Sequence, residues 1–412
     1  MKILISGAGI AGNALAFWLS KLGHDVTVIE RASSLRTAGL QIDLRGHGIE
    51  VMKRMGLEQE FRAKGAPEQG LQWVDSSGRR RGYFPANKSG QGEQSFTSEI
   101  EIMRGDMCSI MYEAAKARTK YVFGTSVEKF TDNGNSVEVQ FADGKKDTFD
   151  LLVGADGQWS RTRKSMLGSD QADGFYPLKG VYIAYFNIPR PIKEGEEYIA
   201  TIFMAPGKRG VMTRRQSPHE LQIYLGCTTN SERLKNARRG DEQKEALAEI
   251  MKGAGWQIED MVKALKDVKE FYCERLGIVK LESWSKGRVV LVGDAAYCPS
   301  ANTGMGTTSG VVGAYILAGE IGRYCGGDDA REKLTTALKA YETKFRPFMD
   351  QVQKGVLEDE GMGMSSSAFG IAIMNIIVGV ASFFKVNIGK YMLKEGVENW
   401  NLPDYEGMDG RD

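Results

Sequence analysis

The chain opens on short apolar runs broken by glycine. Ile3-Leu4-Ile5 predicts a buried strand over Lys2–Ser6, and the run stops too soon to form the apolar region of a secretory signal. After Gly7 a helical periodicity covers Ile10–Leu22, and VTVI inside Asp25–Ile29 predicts a second buried strand. Strand, turn, helix and strand thus fit within the first thirty residues as a βαβ unit. A helix follows over His47–Met55, closed by Gly56. Leu71–Asp75 and Arg81–Phe84 predict a hairpin around Ser76-Ser77-Gly78, and Ser136–Phe141 with Asp147–Phe149 predicts another around Asp143-Gly144. Arg104–Ala117 is helical, and Leu151-Leu152-Val153 is a buried strand. Period-two alternation over Gly180–Ile188, Tyr198–Met204, Gly210–Arg214 and Leu221–Cys227 then predicts an antiparallel sheet in a second domain. Helices over Glu232–Gly253 and Gln257–Leu265 follow it. Arg288–Val292 returns as a buried strand before helices over Gly304–Cys325, Arg331–Phe345 and much of the C-terminal third. The first domain is therefore discontinuous, with the antiparallel sheet inserted.

The stretch Ala368–Phe384, AFGIAIMNIIVGVASFF, stands apart. Its 17 residues fall short of the about 20 needed to span a bilayer, and Asn375 interrupts it. A helix buried between domains is the expectation, with solvated flanks at Glu358–Glu360 on one side and Lys385 and Lys390 on the other. A surface that touches a membrane or a partner, and a true span, are the alternatives. Arg79-Arg80-Arg81 is expected at a solvated hairpin tip.

Composition narrows the function. Basic and acidic residues number 54 and 53, a net charge of +1, which removes the basic excess of a nucleic-acid binder. The five cysteines are widely spread with no C-x-x-C pair, and there are three histidines with no H-E-x-x-H. No metal site is therefore expected, and a reducing, cytoplasmic compartment is. The 50 glycines invite a search for phosphate-binding loops.

Three motifs answer that search. Gly7-Ala8-Gly9-Ile10-Ala11-Gly12 is a G-x-G-x-x-G between a strand and a helix: Gly7 permits the turn, Gly9 the approach of a pyrophosphate, and Gly12 close helix packing. Glu30, followed by Arg31, ends the second strand where an acid bonds ribose hydroxyls. Gly154-Ala155-Asp156-Gly157 closes a buried strand, followed by Ser160, Arg161 and Arg163. Gly293-Asp294 closes another and leads through Thr303-Gly304-Met305-Gly306 into a helix whose positive end can face an anionic ring edge. Taken singly, each also reads as an ordinary turn or helix cap.

In this order and spacing the motifs resemble the FAD-dependent class A aromatic monooxygenases, the para-hydroxybenzoate hydroxylase-like group. The resemblance covers roughly residues 1–350. Gly7–Gly12 with Glu30 is similar to the family's ADP-binding fingerprint, Asp156 to its "DG" aspartate, and Gly293-Asp294 to its "GD" pair at the riboflavin. Arg104 matches the arginine that contacts FAD. The segment from Gly39 to Leu57 is similar to tetracycline-inactivating members, in which the position of Asp43 contacts the flavin nucleotide and an arginine near Arg36 is linked to NADPH. Tyr297, Met305 and Gly313 depart from the family's usual His, Gln and Asp, and Pro299 is offset by one place. The resemblance implies an α/β fold. A discontinuous Rossmann-type FAD-binding domain (1–72, 100–174, 276–345) carries an inserted antiparallel-sheet substrate domain (73–99, 175–275) and a C-terminal helical segment (346–412) with a bridging helix. It implies FAD as cofactor, NADPH or NADH as transient co-substrate, and a flavin hydroperoxide that hydroxylates an aromatic or polyketide-like small molecule with oxygen. No catalytic acid, base or nucleophile is singled out. Tyr185, Gln222, Tyr224 and Pro299 are candidate substrate contacts, whereas Tyr182 and Phe186 serve equally as sheet core. A monomer or weak dimer without a membrane span is expected. A flavin-dependent dehydrogenase or oxidase, or a non-catalytic binder on the same fold, are the alternatives. A halogenase lacks its W-x-W-x-x-P signature here.

Overall fold

A computed structural model describes residues 1–36, 39–88, 96–98, 100–168, 170–327, 329–358, 365–386, 388 and 397–409. The strand Lys2–Ser6 lies inside a six-stranded sheet, pairing in parallel with Asp25–Glu30 on one side and Leu151–Gly154 on the other. Val289–Leu291 adds in parallel to Leu151–Gly154, and Thr119–Phe123 to Asp25–Glu30. Ile3, Leu4, Ile5, Leu151, Leu152 and Val153 are buried, as expected of parallel strands covered on both faces. The helices Ile10–Lys21 and Gly306–Tyr324 pack together on this sheet, and Ala330–Gln353 packs on the second of them.

A second, seven-stranded sheet runs in the order Phe271–Val279, Phe175–Pro189, Glu220–Thr228, Arg209–Arg214, Ile199–Ala205, Gly70–Val74, Arg80–Pro85. All its pairs are antiparallel except Ile199–Ala205 with Gly70–Val74. Alternation sorts its faces. Tyr182, Ala184 and Phe186 point to a rear core shared with the helices Gly240–Met251 and Ile258–Leu265, whereas Ile183, Tyr185 and Tyr224 point forward. The small pair Gln41–Leu44 and Ile100–Met103 faces that front, since the Gln41 N–H donates to the Tyr224 hydroxyl at 3.2 Å.

Several elements differ from expectation. The strand Phe271–Val279 carries charges at Glu274 and Arg275 inside FYCERLGIV, which masks its alternation. The helix over Glu232–Gly253 is broken into Glu232–Asn236 and Gly240–Met251, with Gly240 restarting it. The helix expected to stop at Phe345 runs through Pro347 to Gln353, because Phe345, Phe348, Met349 and Val352 are all buried and their packing offsets the lost hydrogen bond. Ala368–Phe383 forms the expected helix but lies on the edge strand Arg80–Pro85 with its outer face open. Only Val378 and Ala381 are buried, while Phe369, Ile376 and Phe383 are 77%, 66% and 80% exposed. The connection between the two sheets is made by the chain on either side of this helix: Val352 before it, and Leu402, Tyr405 and Met408 after it, sit in the core of the parallel-sheet domain. Glu358 and Lys385 are exposed flanks, whereas Asp359, Glu360 and Lys390 lie outside the described residues. Arg79, Arg80 and Arg81 are exposed, with Arg81 paired to Asp75 at 2.6 Å.

Candidate functional site

The first strand ends on a loop that only glycine can make. A Cβ on Gly12 would lie 1.9 Å from the Gly7 carbonyl oxygen, and Gly7 itself has φ +116° against the Ala155 carbonyl. At Gly9 the situation is the reverse: a Cβ would meet nothing nearer than the Arg104 guanidinium at 3.7 Å. Gly9 therefore faces an open cradle with a cation beside it. The following helix has no acid in its first turn and no side-chain cap, so its first N–H groups lack intrahelical acceptors. A pyrophosphate fits this mouth by charge and by space. Glu30 accepts from the Ala8 N–H at 3.1 Å and the Ala32 N–H at 2.9 Å, which ties the strand end to the loop and leaves lone pairs for ribose hydroxyls. Arg31 and Arg36 are exposed beside it.

Deeper in, Gly293 turns at φ +65°, and a Cβ there would lie 2.7 Å from the methyl of Ala11. Ala11 thus packs between the two strand-end turns. Asp294, one residue on, lies deep in the protein yet is solvent-exposed, so it lines an internal cleft. Burial raises its pKa, and Arg104 opposes that rise. The cleft continues to Gly304, in the left-handed region at φ +67°, and Gly306, where a Cβ would meet nothing within 4 Å. The Ser300 hydroxyl, the Asn302 amide oxygen and the Ser309 hydroxyl in this turn are buried and unpartnered. A cluster of unmet polar atoms at the N-terminus of a 19-residue helix suits a polar ligand edge. Cradle, cation, exposed carboxylate and unmet polar turn together fit a dinucleotide flavin.

Other expected residues occupy different positions. Asp156 spends its carboxylate on its own loop, accepting from the Ser160 hydroxyl (2.5 Å), the Arg161 N–H (2.9 Å), and the Thr162 N–H and hydroxyl (3.0 and 3.1 Å). These contacts tie the carboxylate to the start of the helix Arg161–Leu167. Asp43 is held by Arg45 at 2.5 Å. Pro299 is buried in the turn. Tyr185 and Tyr224 meet edge to face at 5.2 Å on the front of the large sheet, and the Tyr224 hydroxyl donates to Gln222 at 3.0 Å. Beside them Arg214 is buried with Glu68 at 2.6 Å and Glu101 at 2.8 Å, and burial brings Glu101 up to about 7.

Two cleft residues escaped the sequence reading. Tyr272, 45% exposed, stacks on Tyr185 at 6.3 Å, and its hydroxyl donates to Glu274 at 3.2 Å. Burial, then Asp294, brings Glu274 up to about 7. The signal that could have found them is the strand Phe271–Val279 itself. Among the described residues no group of three or more His, Cys, Asp or Glu is placed to hold a metal ion, and no helix is long and apolar enough to cross a membrane.

Comparison with known proteins agrees with this geometry. The FAD binding domain family (FAD_binding_3) matches residues 1–355. The FAD-dependent monooxygenase asL4 of Sarocladium schorii is 52% identical over 421 residues, covering 98% of each chain. The flavin-dependent monooxygenase eupH of Phoma sp is 38% identical over 426 residues, covering 99% of this chain and 98% of that one. The crystal structure of the tetracycline destructase Tet(51) superposes with a TM-score of 0.75 at 30% identity, covering 98% of this chain and 99% of that one.

Proposed function

Because this chain belongs to the FAD binding domain family and is an FAD-dependent monooxygenase, we propose that it uses NADPH or NADH and oxygen to hydroxylate an aromatic or polyketide-like small molecule. FAD supplies the redox chemistry when bound, accepting reducing equivalents and activating oxygen. The chain's own residues do the rest. Gly9 and the uncapped helix behind it receive the pyrophosphate, with Arg104 as counter-charge, and Glu30 takes the adenosine ribose. Asp294 accepts from a ribityl hydroxyl, and the turn Gly304–Gly306 meets the polar edge of the ring. Asp156 acts through the loop it holds. The front of the large sheet, with Tyr185 and Tyr224, forms the substrate wall and keeps water from the reacting centre. This division of labour is the proposed domain division, and a cytoplasmic location belongs to the same proposal.

The observation that carries the reading is the Asp294 carboxylate, deep in the protein and open to an internal cleft that ends on the tyrosine face. Purified protein should carry flavin that acid precipitation releases as FAD. Aromatic and polyketide compounds should then stimulate NAD(P)H oxidation, with one atom of isotopically labelled oxygen appearing in the product. Stimulated oxidation with every labelled atom recovered in peroxide or water would place the protein with flavin oxidases. Protein that takes up no FAD would defeat the reading.

A further inference from the structure

The helix Ala368–Phe383 has two unlike faces. Val378 and Ala381, with the half-buried Met374, join Leu71, Trp73 and Phe84 in an apolar cluster on the large sheet, and Ser382 exchanges hydrogen bonds with the Tyr83 backbone. The opposite face is bare. Eight of the twelve large apolar side chains exposed among the described residues belong to this helix or to the three residues after it, so they make one patch rather than the usual scatter. Phe369, Ile373, Ile376, Val380 and Phe383 follow at intervals of four, three, four and three. That spacing lines them up as a single stripe about 21 Å long, with Ile377 and Phe384 beside it. No residue from 368 to 384 carries a charge.

The border of the patch is basic. Arg81 lines a shallow groove with Ala372, Ile376 and Val380 of the helix. Arg79 and Arg80 precede it on the same hairpin and are exposed, and the Arg79 guanidinium has no hydrogen bond or ion pair among the described residues. Lys385 is exposed just past the end of the helix. At the other end the Gly207 and Lys208 N–H groups donate to the Ser366 and Ser365 carbonyls at 3.0 and 3.3 Å, which sets Lys208 against the helix start. Two acids lie among these cations. Asp75 accepts from Arg81, from the Ser77 hydroxyl and from the Arg79 N–H, and Glu197 stands 3.9 Å from Arg80. Five cations against two acids leave the border positive.

Charge and spacing decide between three coverings. A partner helix in such a seam is held in register by charges on either side of the stripe; here the flanks are Ala372, Asn375 and Gly379 on one side and Ile377 on the other. A second copy would meet this face with the same face, since a two-fold contact is self-complementary, and would bring the arginine border of each copy against the other. A bilayer with anionic headgroups takes both parts at once: acyl chains receive the stripe, and phosphates receive the cations. The 16 residues of the helix span about 24 Å, short of the about 30 Å of hydrocarbon, so the helix lies along the surface.

We propose that the outer face of Ala368–Phe383 docks on an anionic lipid surface, with Phe369, Ile376 and Phe383 among the acyl chains and Arg79, Arg80, Arg81 and Lys385 at the headgroup phosphates. Neither cofactor nor substrate takes part in this contact, so it stands apart from the monooxygenase reading.

The test uses the whole FAD-loaded chain with two vesicles, one of phosphatidylcholine alone and one with about a third phosphatidylserine. In flotation, wild type should bind the anionic vesicles at least about tenfold more strongly than the neutral ones, and salt at about 0.5 M should weaken that binding. Ile376→Ser and Phe383→Ser should each weaken it about tenfold, while melting temperature and flavin content stay as in wild type. Arg79→Gln combined with Lys385→Gln should weaken anionic binding about tenfold or more and leave neutral binding unchanged. Wild type that does not float with anionic vesicles would overturn the docking, as would undiminished binding in both serine variants. Equal binding to the two vesicles would overturn the anionic preference. A wild-type dimer that Phe383→Ser dissociates in sedimentation velocity would assign the face to a second copy instead. A stability loss in both serine variants as large as in Val378→Ala would show the chain itself covering the face, with the same consequence. Absence of flavin bears on the monooxygenase reading alone, and vesicle binding is scored all the same.

Discussion

Tyr297 and Gly313 depart from the family pattern in the sequence as two separate changes, and the structure joins them. A Cβ on Gly313 would sit 1.9 Å from the Tyr297 hydroxyl oxygen and 2.8 Å from the ring of Phe345, so the larger tyrosine needs the bare glycine beneath it. Tyr297 is buried, 3.2 Å from the Tyr341 hydroxyl, and cannot swing away. Gly313→Ala should therefore destabilise the protein by about 1–3 kcal/mol. A urea midpoint within error of wild type would refute the coupling. Asp294→Ala tests the cleft itself. Loss of a charged acceptor costs about 1.5–3 kcal/mol, roughly 10- to 150-fold in FAD affinity, with the fold kept; flavin fluorescence titration measures it, and unchanged affinity would remove Asp294 from the site. At this scale the sequence was legible where backbone sterics dictate the residue, as at Gly7, Gly12 and Gly293. It was less so where a side chain had two acceptable roles. Asp156 reads equally as ligand contact or as part of an ordinary turn after a strand, and its four short contacts hold it to its own loop.

Elements with strong periodicity were legible almost to the residue: Lys2–Ser6, His47–Arg54 and three of the four strands between Phe175 and Thr228, the first of which begins at Phe175, five residues before the expected Gly180. Those missed were short, as with Gln41–Leu44 and Ile100–Met103, or carried charge within the strand, as with Phe271–Val279. An ionisable group on a strand breaks the apolar pattern, so the strand that carries Glu274 and Arg275 was the hardest to see. The helix Ala368–Phe383 shows the opposite failure. Its composition promises burial, yet its inward face is Val378 and Ala381, with Gly82 making room for Val378 and Ser382 exchanging hydrogen bonds with the Tyr83 backbone. Its stability contribution should follow that inward face alone. Val378→Ala should cost about 1–3 kcal/mol, whereas Phe383→Ser and Ile376→Ser should change stability by no more than about 0.5 kcal/mol. Comparable losses in all three variants, measured by thermal melting, would show that the outer face is covered in solution.

At the scale of the whole molecule, the discontinuous plan was legible because three strand-end motifs, spread from Gly7 to Asp294, belong to one parallel sheet. The return of the chain to that domain's core through Leu402, Tyr405 and Met408 was not, since these residues stand singly in a polar tail. How the assembled fold responds to acid depends on groups from both sheets, and their signs oppose. His24 is held down to about 4, first by burial and then by the terminal ammonium 3.4 Å away, and burial lowers His47 as well. The unfolded chain takes up these protons first, near 6.5, so the stability this histidine confers is complete above 6.5 and is lost as pH falls towards 4. For His24 the full effect is on the order of 2–3 kcal/mol. Glu101 and Glu274 work the other way: held up to about 7, they gain protons in the folded state before the unfolded chain does, so acidification from 7 towards 4.5 favours the fold. In wild type the two contributions oppose each other between pH 7 and 5, so each set of groups partly masks the other. His24→Asn removes much of the destabilising one and leaves the carboxylates, so its melting temperature should rise relative to wild type on moving from pH 7 to 5. Glu101→Gln should do the reverse, its melting temperature falling relative to wild type over the same interval. Parallel pH profiles for wild type and His24→Asn would show that this histidine titrates alike in the folded and unfolded chain, and would locate the acid response elsewhere.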